Sequence, residues 1–282
     1  MIFWLASYPK SGNTWLRALI SSYYYTHDGI FNPLKLKNIP QFPEKLFFKS
    51  FSYNKKDVLS TAKLWLKAQE VINLDKKIKF FKTHNFLGSL DGNNFTNKKN
   101  TIGGIYIVRD PRNVITSMKN HFELNYEDAL NFMLNEKKFT YDFHKKEDFS
   151  DFQFISSWEK NFQSWKNQKL FNLKFIRYED LMNETFFVFK EIVEFINYTC
   201  NFDKNFIKKK AINSIQSTTF EKLKKIEIKK GFSEAISSKK NNNKIPFFFM
   251  GADNDWKKIL QKDFKNKLNI KFNACLKELN YK

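Results

Sequence analysis

The sequence predicts an α/β fold, a doubly wound parallel sheet flanked by helices in a single domain. Three observations carry this expectation. Apolar runs of strand length alternate with segments of helical periodicity along the 282 residues. Twice, at residues 1–20 and 102–118, a strand-like run passes through a turn into a helix start. The conspicuous polar clusters follow the ends of strands, which is where open α/β sheets bind ligands.

The first strand is the apolar run that ends at Ser7, and a turn carrying Pro9, Gly12 and Asn13 leads to a helix from Trp15. Residues 21–56, with Pro33, Pro40 and Pro43, read as irregular. Residues 57–74 place Val58, Ala62, Leu66 and Val71 near helical spacing, and residues 78–82 form a second strand ending in Thr83-His84. A polar loop over 91–100 precedes the clearest strand, 102–108, after which Asp110 offers an N-cap and Pro111 a first helical position. A short helix fits 128–134 and another 156–167, before a fourth strand at 173–177. Tyr178-Glu179-Asp180 leads into a helix over 181–195, where the acidic pair suits the positive helix end. Residues 206–215 and 220–226 also read as helices. Residues 228–245, rich in Lys, Asn and Ser, lack periodicity and read as a mobile lid. Trp256, Leu260, Phe264, Leu268, Phe272 and Leu276, at every fourth position, predict one long amphipathic helix whose stripe is core.

The chain is long enough for one substantial core. Cys200 and Cys275 are the only cysteines; they have neither metal-ligand spacing nor the density of a disulfide scaffold, which points to a reducing compartment. No leader pattern precedes Lys10 and no apolar run reaches the ~20 residues of a membrane helix, so the expectation is a soluble, cytoplasmic protein without stable membrane insertion. The formal charge of +20 raises nucleic acid as a partner. Nearly all of it is lysine, alongside abundant Phe, Asn and Ile, a set that shares AT-rich codons, so the excess reads as coding bias on a solvated face. Against that background the four arginines, Arg17, Arg109, Arg112 and Arg177, mark places where a planar, bidentate donor is needed.

A strand-turn-helix of this kind aims backbone N–H groups and a helix start at one point, and Lys10, Ser11, Asn13 and Thr14 add a cation and side-chain donors. By itself it also fits an ordinary βα turn capped by Asn or Thr. It does not fit Gly-x-x-x-x-Gly-Lys-[Ser/Thr], because Lys10 precedes Gly12. Three further clusters fall at strand ends: Lys82-Thr83-His84, Arg109 with Ser117 eight residues on, and Tyr178.

Tyr8-Pro9-Lys10-Ser11-Gly12-Asn13-Thr14-Trp15 resembles the 5′-phosphosulfate loop of sulfotransferases that use 3′-phosphoadenosine 5′-phosphosulfate (PAPS), and the resemblance extends in order along nearly the whole chain, 1–282. It implies a P-loop-like sheet, PAPS as co-substrate, adenosine 3′,5′-bisphosphate (PAP) as product and no metal. Lys82-Thr83-His84 resembles the family's Lys-Thr-His, which implies His84 as catalytic base with Lys10 and Lys82 at the transferring group. Arg109 and Ser117 match the 3′-phosphate motif, Tyr178 and Trp15 the contacts to adenine, and Thr218-Thr219-Phe220 the segment that closes over the purine. Near the C-terminus the pattern departs: Gly251 and Asp255-Trp256 are kept, but Phe249-Met250 replace the usual Arg-Lys. Gly251 N–H remains a candidate contact, and Lys239, Lys240, Lys244 and Lys257 are candidates for the missing charge. His27, His121 and His144 read as structural.

The implied reaction moves a sulfuryl group to a hydroxyl or amine on a small-molecule, glycan or lipid acceptor, with residues 21–56 and 122–154 around it. A P-loop-like kinase and a basic nucleic-acid-binding protein are the alternatives. The first lacks a Walker lysine and a Mg²⁺-holding Asp at a strand end. The second leaves the ordered Lys10, Lys82-His84 and Arg109-Ser117 set unexplained. Acceptor and oligomeric state are not readable from the residues.

Overall fold

The computed structural model describes residues 1–141, 148–232, 234–238, 241 and 243–281. At its centre is β1 (Ile2–Ala6), five consecutive buried residues, as a strand covered on both faces must be. It pairs in parallel with β2 (Lys79–Thr83) on one side and β3 (Thr101–Val108) on the other; β4 (Asn172–Arg177) extends the sheet beyond β3, giving the order β2-β1-β3-β4. The side-chain period of two sends Trp4 and Ala6 to one face and Phe3 and Leu5 to the other, each into its own core. Trp4 packs among Phe42, Phe81 and Phe95 and donates its indole N–H to Thr101 Oγ1 at 2.9 Å. The second core is closed by α1 (Asn13–Tyr25) and by residues of the later helices 185–199 and 208–217.

Because the chain leaves β1 to one side for β2 and crosses to the other for β3, the strand order reverses at β1, and the crevice there is the expected ligand position. Register aligns the strand ends: Ala6 faces Thr83 and Tyr106, and Val108 faces Arg177. The turn after β1, His84, Arg109 and Tyr178 therefore share one edge. After β3, α2 (Pro111–His121) starts as expected, with the Asp110 carboxylate accepting from Arg112 N–H and Pro111 at the first position, and α3 (Trp158–Lys166) is the helix expected at 156–167.

Several elements differ from expectation. The segment 57–74 is two helices, Val58–Ala62 and Trp65–Ile72, and the helix expected at 181–195 is two, α4 (Tyr178–Asn183) and α5 (Thr185–Thr199), broken where Glu184 leaves helical geometry. Residues 21–56 hold two 3₁₀ turns, Pro33–Asn38 and Lys45–Phe48, and the backbone near Gln41 pairs with the outer side of β2: Lys82 N–H donates to Pro40 O at 2.8 Å and Phe42 N–H to Lys82 O at 2.9 Å. The long C-terminal helix is three pieces, Trp256–Ile259, Lys262–Lys271 and Asn273–Glu278. A four-residue spacing drifts by about 40° per step on a helix of 3.6 residues per turn, so the stripe would wind to the opposite face over this length. Breaking the helix resets the face, and Leu260, Leu268, Phe272 and Leu276 all stay buried.

The expected helices at 206–215 and 220–226 are α6 (Lys208–Ser217) and α7 (Phe220–Lys230). The segment that follows α7 folds back on itself through a bridge between Ser237 and Lys244. His144, Lys239 and Lys240 lie outside the described residues. Among the described residues no helix is long and apolar enough to cross a membrane.

Candidate active site

The turn between β1 and α1 is set by its backbone. Lys10 has φ 66° and Gly12 φ 95°, and Gly12 is the N-cap of α1, in the left-handed region and without a side-chain cap. The Asn or Thr cap of an ordinary βα turn is absent. Gly12 is also required by packing, since a Cβ there would meet the Tyr178 ring at 2.4 Å. Asn13 turns inward, its amide donating to Leu5 O at 2.9 Å and Ser7 Oγ at 3.3 Å, which ties the turn to the strand it leaves.

The turn opens on a cavity of about 710 Å³. Lys10, Gly12, Asn13, Thr14 and Trp15 line its floor; Lys82 and His84 come from the end of β2, Arg109 and Ser117 from the end of β3 and from α2. Tyr178, Phe220 and Gly251 are also in its wall. Ser11 and Thr218 are not in its wall: Ser11 is fully buried beneath the turn, and the Thr218 hydroxyl donates to Ser214 O at 2.7 Å.

At the Arg109 end, the guanidinium lies 4.4 Å from the Tyr178 ring centroid, a cation–π contact, and Nη1 donates to Lys10 O at 3.3 Å. Its Nε is buried and unpartnered. Trp15 meets the edge of the same Tyr178 ring at 5.7 Å. A cation on an aromatic face, a buried N–H without an acceptor and Ser117 in the cavity wall make an arrangement that can hold an anion beside an aromatic surface.

The other three arginines use their forks structurally. Arg112 grips the Asp110 carboxylate, reaches Asn269 Oδ1 at 3.0 Å and stacks 3.9 Å from the Trp256 ring. Arg177 pairs with Asp180 and donates to the carbonyls of Leu279 and Asn280. Arg17 bonds Ile39 O at 2.8 Å and the Glu234 carboxylate. Three of the four arginines thus make forked contacts within the fold, and Arg109, with one hydrogen bond from Nη1, is the one that faces the cavity.

His84 is held from both sides. Its backbone N–H donates to Gln153 Oε1 at 2.6 Å and its carbonyl accepts from Asn161 Nδ2 at 3.0 Å. Nδ1 sits 2.8 Å from Ser7 O, and because a carbonyl only accepts, Nδ1 carries the proton and Nε2 keeps its lone pair. Burial first, then the Lys82 charge, push the imidazole pKa down to about 3 against the pull of the Ser7 contact. The residue type suggests a titration near working pH; in the structure burial keeps the His84 imidazole neutral there.

The lysines differ in their partners. Lys10 Nζ lies 3.8 Å over the Phe247 ring; burial lowers its pKa to about 7, with Glu234 opposing and Arg109 and Lys82 adding to the shift. Lys82 Nζ is 3.0 Å from Glu234 Oε2, and burial lowers its pKa while Glu234 raises it. For Glu234, burial disfavours the charged form, but Lys82, then Arg17, outweigh it and hold the carboxyl far below its ordinary range.

Sequence reasoning missed Glu234, Gln153 and Asn161, and gave His121 no place in the site, although His121 lines the cavity. One signal was available for Glu234: it is the only acidic residue in the Lys- and Asn-rich stretch 231–245. At the altered C-terminal motif, Phe249, Met250 and Gly251 all line the cavity, and a Cβ on Gly251 would strike the Phe220 ring at 2.6 Å. Asn254 anchors the motif, accepting from Thr116 Oγ1 and donating to Asn113 O at 3.0 Å. Lys244 lies in the wall and donates to Ala235 O at 3.2 Å; Lys257 is not in the wall.

A helix start and Lys10 at the turn, Lys82 and a tautomer-fixed histidine at the end of β2, and Arg109 at the end of β3 share one sheet edge, an arrangement chemically suited to group transfer from an anionic donor. Residues 2–280 match the sulfotransferase domain family, and the chain belongs to that family. It is a sulfotransferase, and the kinase and nucleic-acid alternatives give way.

Its fold is similar to that of mouse sulfotransferase SULT7A1 complexed with PAP, with 20% identity and a TM-score of 0.56 over 99% of this chain and 88% of that one. It is also similar to retinol dehydratase in a complex with retinol and PAP (16% identity, TM-score 0.61, 98% of this chain and 81% of that one). A second complex, with androsterone and inactive cofactor PAP, has 17% identity and a TM-score of 0.53 over 98% and 80% of the two chains. No curated protein matches by sequence.

Proposed function

We propose that this sulfotransferase takes the sulfuryl group from PAPS and delivers it to the hydroxyl or amine of a small-molecule acceptor, with His84 as general base. The observation that carries the reading is convergence: Lys10, Lys82, His84 and Arg109, from the ends of three adjacent strands, face one cavity. The cavity fits the donor on its own terms. The buried Arg109 Nε lacks an acceptor, which a 3′-phosphate supplies together with the Ser117 hydroxyl. Tyr178, Trp15 and Phe220 offer aromatic surface to the purine, and the turn at Lys10–Trp15 offers N–H groups and Thr14 to the 5′ end.

The donor supplies an activated sulfur bound to a good leaving group. This chain's residues do the rest. His84 Nε2 takes the acceptor proton as the acceptor's oxygen or nitrogen bonds to sulfur and the bond from sulfur to the phosphate oxygen breaks. The Ser7 carbonyl fixes the tautomer this needs and stabilises the imidazolium that forms. Lys10 and Lys82 stabilise charge developing on the departing oxygen. The acceptor half of the wall mixes Phe122, Tyr141 and Phe247 with Gln41, Asp151 and Gln153, surface for a partly apolar molecule with a polar head. The retinol and androsterone held by the two retinol dehydratase structures are of that kind, which supports the acceptor class.

Thermal-shift titration tests the donor assignment. PAP should stabilise the protein far more than ATP, which has no 3′-phosphate for Arg109 and Ser117. Equal shifts would remove the reading.

A further inference from the structure

The Glu234 carboxylate lies against the groups assigned above to the donor's 5′ end. Thr14 Oγ1 donates to Glu234 Oε2 at 2.8 Å, Lys82 Nζ is 3.0 Å from the same oxygen, and Arg17 Nη1 donates to Oε1. The residue is 20% exposed, and its charge is matched by two cations and a hydroxyl. Phe247, from the same fold-back segment, covers the Lys10 ammonium at 3.8 Å. Both catalytic lysines thus already have partners, a carboxylate and an aromatic face, from a single stretch of chain.

We propose that Glu234 is an internal competitor for the donor, a carboxylate held in the subsite of the 5′-phosphosulfate, which PAPS must expel in order to bind productively. The proposal rests on the PAPS reading and deepens it. Two anions cannot share Thr14 and Lys82 within hydrogen-bond reach without like charges meeting in a partly desolvated cavity, where screening is weak. The donor also needs Lys82's ammonium directed at the transferring group, whereas here it is directed at Glu234.

A glycine close to Glu234 offers a hinge. Gly231, three residues before Glu234, ends α7 at φ 71°, is exposed, and has no atom within 4 Å of where a Cβ would be. Beyond Glu234 the chain pairs with itself, Ser238 N–H donating to Asn243 O at 2.7 Å and Ile245 N–H to Ile236 O at 2.9 Å, and among its other contacts Ser238 Oγ donates to Glu123 Oε1 at 2.7 Å. The Glu227 carboxylate accepts from the backbone N–H groups of Phe247 and Phe248 at 2.7 and 2.9 Å, so the Phe247 side can stay anchored to α7 while Glu234 swings away. Donor binding thereby couples to exposure of the segment, and the competitor keeps Lys82 from loose anions such as phosphate or sulfate.

The test is calorimetry with two probes, PAPS and adenosine 3′-monophosphate, on the wild-type protein and on Glu234→Gln. The second probe keeps the purine and 3′-phosphate but has no 5′ anion. Removing the carboxylate charge should tighten PAPS by tenfold or more and leave adenosine 3′-monophosphate within about twofold. Unchanged or weaker PAPS binding in the variant would overturn the proposal and make Glu234 a brace for Lys82 and Arg17. An equal gain for both probes would overturn it too. If Glu234→Gln does not fold, Glu234→Asp, which keeps the charge but withdraws it by one methylene, should shift PAPS affinity in the same direction. Wild-type binding of PAPS without a gain in either variant sinks this proposal alone; failure of the wild-type protein and variants to bind PAPS sinks the donor reading, and this proposal with it.

Discussion

Replacing Arg109 by lysine keeps the charge and removes the plane. In the structure Arg109 uses Nη1 on the Lys10 carbonyl at 3.3 Å and lays its guanidinium 4.4 Å from the Tyr178 ring, which leaves Nε buried and available. A phosphate completing this site gains forked contacts, and an ammonium can reproduce one at most. The loss is one charge-assisted hydrogen bond, about 1.5–3 kcal/mol, or roughly 10- to 150-fold in affinity. Calorimetry should find PAP weakened by that factor in Arg109→Lys while adenosine 5′-monophosphate, lacking the 3′-phosphate, changes by less than about twofold. Unchanged PAP binding would make Arg109 a structural residue. An equal loss for both nucleotides would mean that the substitution collapses the turn through its Lys10 contact, and the subsite reasoning would be wrong.

Two further outcomes follow from the titrations. His84→Ala should lower turnover by ~10²–10⁴ while leaving PAP affinity nearly intact, as for a lost general base. A base must be neutral to act, and burial holds His84 neutral down to about pH 3, so its limb in kcat/KM should be flat from about pH 5 upward; an acid limb near pH 6–7 that vanishes in the variant would show that His84 titrates in its ordinary range. Lys10, lowered to about 7 by burial, is mostly neutral at pH 8 and regains its proton beside a bound anion. PAP binding at pH 8 should therefore take up a proton, seen as a dependence of binding enthalpy on buffer ionisation enthalpy, and should take up none near pH 5.5; an identical dependence at both values would contradict the depressed Lys10.

The four parallel strands and the helix starts that follow β1 and β3 were legible in the sequence because they rest on local chemistry. β1 and β3 are unbroken apolar runs, Asp110-Pro111 is a start signal complete in two residues, and Gly12 permits a turn only glycine favours. Once the sheet was expected to be parallel, the clusters at Lys10, Lys82-His84, Arg109 and Tyr178 fell on one edge without further information, since parallel strands end together.

What tertiary structure alone decided is the state of those groups. Three of the four arginines went to clamps on carbonyls and carboxylates, in which near neighbours such as Asp110 and Asp180 act together with distant partners such as Asn269 for Arg112 and Leu279 for Arg177. The expected C-terminal helix broke because a four-residue stripe cannot keep facing one core, a conflict that appears only when the core's position is fixed. The tautomer of His84 comes from Ser7, 77 residues away, and its low pKa from burial beside Lys82, against the pull of that Ser7 contact. Glu234 reaches Thr14 across 220 residues of sequence. Residue types and their order along the strands named the chemistry, but charge, proton position and competition depend on distance and desolvation, which exist only once the chain has closed around the site.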